Sequence, residues 1–258
     1  MTHFHPKNSS FWAQSCAILS DAIWPPRCAG CLDWNSELFC ADCALQLKPI
    51  EAPLCFRCGL PFDPLSQAAD ICAACRDNRY HAAPPIKVLR SVYEFEGPRR
   101  EAIHRFKYAG KTALANPLAL VLAEYLQQAA GRDIDASNLG AIVPVPLHAW
   151  RKWRRGYNQS TLIARELSRF LQIPVYEMLQ RPRHTAPQVE LSAKERARNI
   201  HDAFEINLKM LNALDLLGKP ILLIDDVCTT GATLQECARV LQQAGIKTVY
   251  ALTLARQL

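Results

Sequence analysis

Two groups of residues in this chain have types and spacings that could do chemistry. The first is the run "ILLIDDVCTTGAT", residues 221 to 233, where four apolar residues lead into Asp225 and Asp226 and then into Thr229, Thr230, Gly231, Ala232 and Thr233. Adjacent carboxylates beside such a loop repel one another unless a donor-rich ligand lies against them. The small residues let a backbone come close to a phosphate, which amide N–H groups and the positive end of a following helix can hold. A sugar phosphate meets both halves: ribose 2- and 3-hydroxyls donate to the carboxylates, and the 5-phosphate sits in the loop.

The second group is cysteine. Eight of the 11 cysteines form four pairs with two intervening residues: Cys28/Cys31, Cys40/Cys43, Cys55/Cys58 and Cys72/Cys75. Two thiolates spaced this way on a tight turn can face one tetrahedral ion, and a second pair closes its shell. Two four-cysteine zinc sites follow, most simply Cys28, Cys31, Cys40, Cys43 and Cys55, Cys58, Cys72, Cys75, with interleaved pairings equally acceptable to zinc. A disulfide framework needs an oxidising compartment that nothing here indicates, and iron–sulfur ligation prefers more closely bunched cysteines. With all ligands supplied by protein, the zinc ions would be structural, and metal binding would supply much of the folding energy of a proline-rich segment too short for a self-sufficient core.

These groups need elements to position them. The chain has 258 residues, half of them apolar, with a net charge of +6, an ordinary globular balance. The stretch from Phe11 to Trp24 reads as an amphipathic helix within residues 1–27, without the basic flank or cleavage site of an export signal. No apolar run approaches the roughly 18–20 residues of a membrane span, so a cytoplasmic location is expected. Residues 28–83 form the double zinc-ribbon domain of this reading, and Pro84-Pro85 opens a second domain over 84–258. There, strand-like and helical patterns alternate: a strand beginning at Val88, helices over 99–108 and 117–130, a strand over 140–145, a helix over 159–171, a strand over 221–224, a helix over 233–244 and a strand over 248–254. Such alternation predicts an α/β fold with a mostly parallel sheet flanked by helices. Open sheets of this kind bind ligands beyond the carboxyl ends of their strands, where the acidic pair falls.

The basic cluster Arg151-Lys152-Trp153-Arg154-Arg155 reads as a loop suited to an anionic ligand or, equally well from these five residues, as a merely solvated basic loop. Trp150 and Trp153 within it fit either stacking on bases or packing at the sheet edge, the latter favoured. Residues 181–204, "RPRHTAPQVELSAKERARNIHDAF", are too polar for a core element and read as a mobile loop plus a helix.

"LLIDDVCTTGAT" resembles the phosphoribosyl diphosphate signature of type I phosphoribosyltransferases. Together with the paired cysteines, "YEFEGPRREAIHRFKYAGK", "RRGYNQS" and "RHTAPQVELSAKERARNIHDAF", it resembles the ComF/GntX family over nearly the whole chain. The resemblance implies a zinc-ribbon domain joined to a phosphoribosyltransferase-type domain, in bacterial proteins linked to competence and use of external DNA. It implies Asp225 and Asp226 on the ribose, residues 229–233 on the 5-phosphate, and Arg151, Lys152, Arg154, Arg155, Arg181 and Arg183 as candidates for the pyrophosphate, with Mg²⁺ accompanying phosphoribosyl diphosphate. The acceptor is not legible. A different expectation makes the domain a non-catalytic nucleotide sensor or a single-stranded-DNA-binding module that meets DNA-uptake proteins.

Overall fold

The structure, a computed structural model, describes residues 27–62, 70–76, 85–128, 133–182, 202–207 and 218–258. The expected amino-terminal helix, Cys16, the boundary near Ala83 and most of the polar 181–204 segment, Arg183 included, lie outside the described residues.

A four-stranded, all-parallel sheet organises the chain. Its strands are β1 (Val88–Glu94), β2 (Ala141–Pro144), β5 (Ile221–Cys228) and β6 (Val249–Arg256), in the order β1-β6-β5-β2. Alternate residues serve opposite faces, as the period of two requires. Leu222, Ile224, Leu252 and Leu254 face α3 (Gly97–Tyr108), α4 (Ala115–Gln127) and α6 (Gln159–Leu171), while Ile221, Leu223, Val249 and Ala251 face α7 (Ala232–Gln243). Because both faces are covered, the strands are apolar without alternation. A two-residue antiparallel pair, β3 (Leu179–Gln180) with β4 (Glu205–Ile206), packs beside α7, which the strand and helix patterns did not foretell. Among the described residues, no helix is long and apolar enough to cross a membrane.

Two features correct the sequence reading. β5 runs past Ile224 to Cys228, because its ladder with β6 continues through Asp225↔Thr253 to Cys228↔Arg256; the acidic pair therefore sits inside the strand. The basic cluster is a helix, α5 (Ala149–Arg155), and not a loop. His148 Nδ1 accepts from Trp150 N at 3.2 Å to start it, and Gly156 ends it at φ +85°. Between those caps no proline, glycine or β-branched residue interrupts good helix formers.

The cysteine-rich segment, with its short helices α1 (Ala41–Leu45) and α2 (Ala73–Arg76), lies against the outer edge of β1. Ile50 N donates to Val92 O at 2.9 Å, Glu94 N to Lys48 O at 2.9 Å, and Leu89 N to Arg57 O at 2.8 Å. Four arginines of the α/β part reach back into it. Arg90, 2% exposed, donates to Cys55 O at 3.3 Å and Phe56 O at 3.0 Å while pairing with Asp133. Arg256 donates to Cys58 O, and Arg105 to Ala29 O and Gly30 O. Arg99, 1% exposed, lies 4.0 Å from the Tyr93 ring and 4.8 Å from that of Phe39, and burial lowers its pKa to about 10.

Cys28, Cys31, Cys40 and Cys43 converge, as do Cys55, Cys58, Cys72 and Cys75, with the ligand atoms of each set within 4.8 Å of one another. The sequential pairing is thus the one the fold adopts. Cys28 Sγ accepts from the N–H groups of Gly30 and Cys40, and Cys55 Sγ from Cys72 N, each at 3.3 Å. The Cys58 thiol and nearby N–H groups hold Cys55 down to about 4. Four sulfurs of this spacing, one already favoured as thiolate, suit a tetrahedral zinc at about 2.3 Å from each. Cys55→Ser should bind one zinc equivalent fewer than the parent and unfold at lower denaturant, by about 2–5 kcal/mol, because the Cys55–Cys58 turn also receives Arg90 and Arg256. Metal analysis beside denaturant unfolding checks both outcomes.

Candidate functional site

A cleft of ≈1470 Å³ opens at the carboxyl ends of the strands, between α3, α5 and the start of α7. Asp225 and Asp226 form its floor. Successive side chains of a strand point to opposite faces, yet the start of α6 touches both carboxylates, and α3 touches Asp226. Ser160 Oγ donates to Asp225 Oδ1 at 2.9 Å, and Gln159 Nε2 donates to Asp226 Oδ2 at 3.3 Å. Lys107 Nζ, from α3, stands 2.7 Å from Asp226 Oδ1. The backbone N–H of Asp226 also donates to Asp225 Oδ1, at 2.9 Å.

These donors do not cancel the cost of placing two charges together. Asp225 opens partly to the cleft but lies deep beneath the molecular surface. Burial, followed by repulsion from Asp226, raises its pKa to about 7 against the opposing pull of Lys107 and Ser160. Asp225 is therefore poised to lose or hold its proton near neutrality.

The small-residue segment turns the chain from β5 into α7. Gly231, at φ +81°, is the residue before the first helical turn, a conformation that strains any residue with a Cβ. Thr230 Oγ1 accepts from Ala232 N at 3.4 Å. Thr229, Gly231 and Thr233 line the cleft, whereas Thr230 and Ala232 shape the turn behind it. The first N–H groups of α7 point outward here with the helix's positive end behind them. Cys228 and Cys237 lie beneath, buried in the core.

Arginines form the opposite wall. Arg151, Arg154 and Arg155 from α5, with Arg181 after β3, line the cleft; Lys152 is exposed and stands outside it. Arg155 stacks 4.9 Å from the Tyr108 ring, Arg154 5.2 Å from that of Trp150, and Arg181 5.1 Å from that of Phe204. Burial lowers the pKa of Arg151 and Arg181. Trp150 and Trp153 are 47% and 80% exposed, so neither is the sheet-edge core residue that was favoured. Exposed tryptophans follow from α5 standing off the sheet, with no buried residue along its length.

Three residues touching the acidic pair escaped the sequence reading as site residues. Gln159 and Ser160 were legible only as the start of α6, and the signal was their place in "GYNQS": Asn158 caps the helix by accepting from Ser160 N at 3.2 Å and ties it to β2 by donating to Val145 O at 3.0 Å. Lys107 was legible only as part of the family-like stretch "YEFEGPRREAIHRFKYAGK"; its partner lies 119 positions away, and only the fold joins them.

Comparison with known proteins adds to this geometry. A double zinc ribbon domain matches residues 19–76, and a phosphoribosyl transferase domain matches residues 158–258. The chain is 33% identical over 232 residues to Competence protein F of Haemophilus influenzae, covering 89% of this chain and 95% of that protein. It is 34% identical over 221 residues to DNA utilization protein YhgH of Escherichia coli (strain K12), covering 85% and 90%. Competence protein ComFC of Bacillus subtilis is 29% identical over 219 residues, covering 81% and 80%. With paired four-cysteine clusters, a parallel sheet carrying an acidic pair and a glycine-started helix, and relatives alike over most of their length, the chain belongs to the ComF/GntX family of competence and DNA utilization proteins, in which a double zinc ribbon precedes a phosphoribosyltransferase-like domain.

Proposed function

We propose that the cleft binds phosphoribosyl diphosphate with Mg²⁺, and that the protein uses this ligand in DNA uptake or in the use of DNA as a nutrient. The observation that carries the reading is the acidic pair on the cleft floor facing a helix amino terminus on one side and an arginine wall on the other. Asp225 and Asp226 accept the ribose hydroxyls, the 229–233 turn takes the 5-phosphate, and Arg151, Arg154, Arg155 and Arg181 meet the diphosphate. Lys152 and Arg183 are assigned the same role from sequence alone. The names of the relatives, which concern competence and DNA utilization, support the biological setting.

As a transferase, the site would exchange the bond from ribose C1 to pyrophosphate for one to a nitrogen nucleophile. Charge builds on the sugar as pyrophosphate departs, and the two carboxylates beneath the ribose stabilise it. The arginines would stabilise the leaving group, and Mg²⁺ bound with the diphosphate would add positive charge there.

A second reading, a single-stranded-DNA-binding module, is favoured by the exposed Trp150 and Trp153 interleaved with basic residues on α5. It predicts DNA affinity that falls steeply with salt and survives Asp225→Asn, as a titration of fluorescent oligonucleotide at several salt concentrations would reveal.

For the principal reading, calorimetry of the zinc-loaded protein with Mg²⁺ and phosphoribosyl diphosphate should show saturable binding, weakened about 100-fold or more in Asp225→Asn/Asp226→Asn. Absence of binding to the parent protein would sink it. The same carboxylates carry a stability cost of known sign. Asp225 holds its proton more tightly in the fold than in the unfolded chain, so its ionisation is penalised increasingly from about pH 4 upward and fully above about pH 7. Asp225→Asn should therefore raise the unfolding free energy by about 1–3 kcal/mol at neutral pH and bring no gain below about pH 4. Chemical unfolding at the two pH values measures the difference.

A further inference from the structure

Helix α3 joins the first zinc cluster to the acidic pair. Arg105 donates to Ala29 O and Gly30 O, both between Cys28 and Cys31. Pro98, at the start of the same helix, closes over Gly30 so tightly that an added Cβ there would lie 2.8 Å from the proline Cβ and 2.7 Å from Cys43 Sγ. Lys107 follows Arg105 by two positions, and such a step turns about 200° around a helix. One side chain thus grips the Cys28–Cys31 turn while the other reaches Asp226 Oδ1 at 2.7 Å.

We propose that Lys107 is a positioning residue of the ribose seat: held in place through α3 by the first zinc knuckle, it favours the carboxylate form of the Asp225–Asp226 pair and readies it to accept a sugar diol. The proposal rests on the phosphoribosyl reading above for its ligand, and on the ion pair for its physics. The charged and titratable groups facing the pair are Lys107 from α3, Arg181 from the chain after β3, Cys228 of β5 itself and Cys237 from α7. Burial pushes both thiols up, so they stay neutral, and Arg181 is stacked on Phe204. Lys107 supplies a full charge in direct contact. Together with Ser160, Gln159 and the Asp226 N–H it occupies about half of the lone-pair capacity of two carboxylates, so acceptors remain for a diol.

The opposite role, a plug that a ligand must expel, is separated from this one by pH. The test uses zinc-loaded full-length protein and Mg²⁺-phosphoribosyl diphosphate as the probe, with calorimetric affinities near pH 7 and near pH 9, and carbon-13 NMR titration of the aspartate carboxyls without ligand. Lys107→Met should weaken binding about tenfold or more near pH 7, with the loss shrinking to within about threefold near pH 9, where the pair is ionised without help. Its carboxyl titration should move upward. Lys107→Arg should restore the parent profile. Arg105→Met, with its zinc content unchanged, should move both readouts the same way by a smaller amount. Binding by Lys107→Met that is unchanged or tighter near pH 7, with an unmoved carboxyl titration, overturns the proposal. An unmoved Arg105→Met profile overturns the link to the zinc knuckle. Should the parent protein bind no probe at any pH, the ligand reading falls by itself, and the carboxyl titration still decides the role of Lys107: moved upward it stands, unmoved it fails.

Discussion

Repulsion between Asp225 and Asp226, held at successive positions inside a buried strand, is the constraint around which the site is built. A folded chain does not ordinarily sink two carboxylates together, since each loses water and each raises the other's charging cost. This chain does so with one cation, two neutral donors from a single helix turn and one backbone N–H. The donors come from three separate places in the sequence. Their convergence explains why α6 begins with the capped "NQS" run and why α3 must lie across the end of the sheet.

A similar economy joins the cysteine-rich segment to the sheet. The carbonyls inside a Cys-x-x-Cys turn face outward and need donors, and a segment this small has few of its own. Arg90, Arg105 and Arg256 supply them, each from an element of the α/β part. Guanidinium suits the task because it presents several donors in a fixed plane and keeps its charge when buried. Arg99 uses aromatic faces in place of carbonyls. The two parts are packed as one body along this seam, and the metal clusters sit directly behind it.

How much of this was legible followed the range of the interactions. Local signals worked: the cysteine spacing gave two four-cysteine sites, though only the fold chose sequential over interleaved pairing, and α6 begins and ends where its pattern did, at Gln159 and Leu171. The apolar run Ile221–Ile224 marked a buried strand but not its length, because β5 continues on the strength of its ladder with β6, which no local pattern records. The reading of α5 as a loop weighed its charge above its good helix formers. Lys107, Arg90 and Arg105 were opaque for a common reason: each is a charged residue on an otherwise ordinary element, and its partner is set by tertiary packing over tens of residues.

The backbone pairing of Lys48–Ile50 and Arg57 with β1 has a consequence beyond holding two parts together. β1 ends the sheet, and an uncovered terminal strand is a template onto which another chain can add. The cysteine-rich segment supplies the missing partners for Leu89, Val92 and Glu94, so it shields a strand end-row that would otherwise be adhesive. The two cysteine clusters, by holding that segment in shape, thus also hold the cover on the sheet's edge.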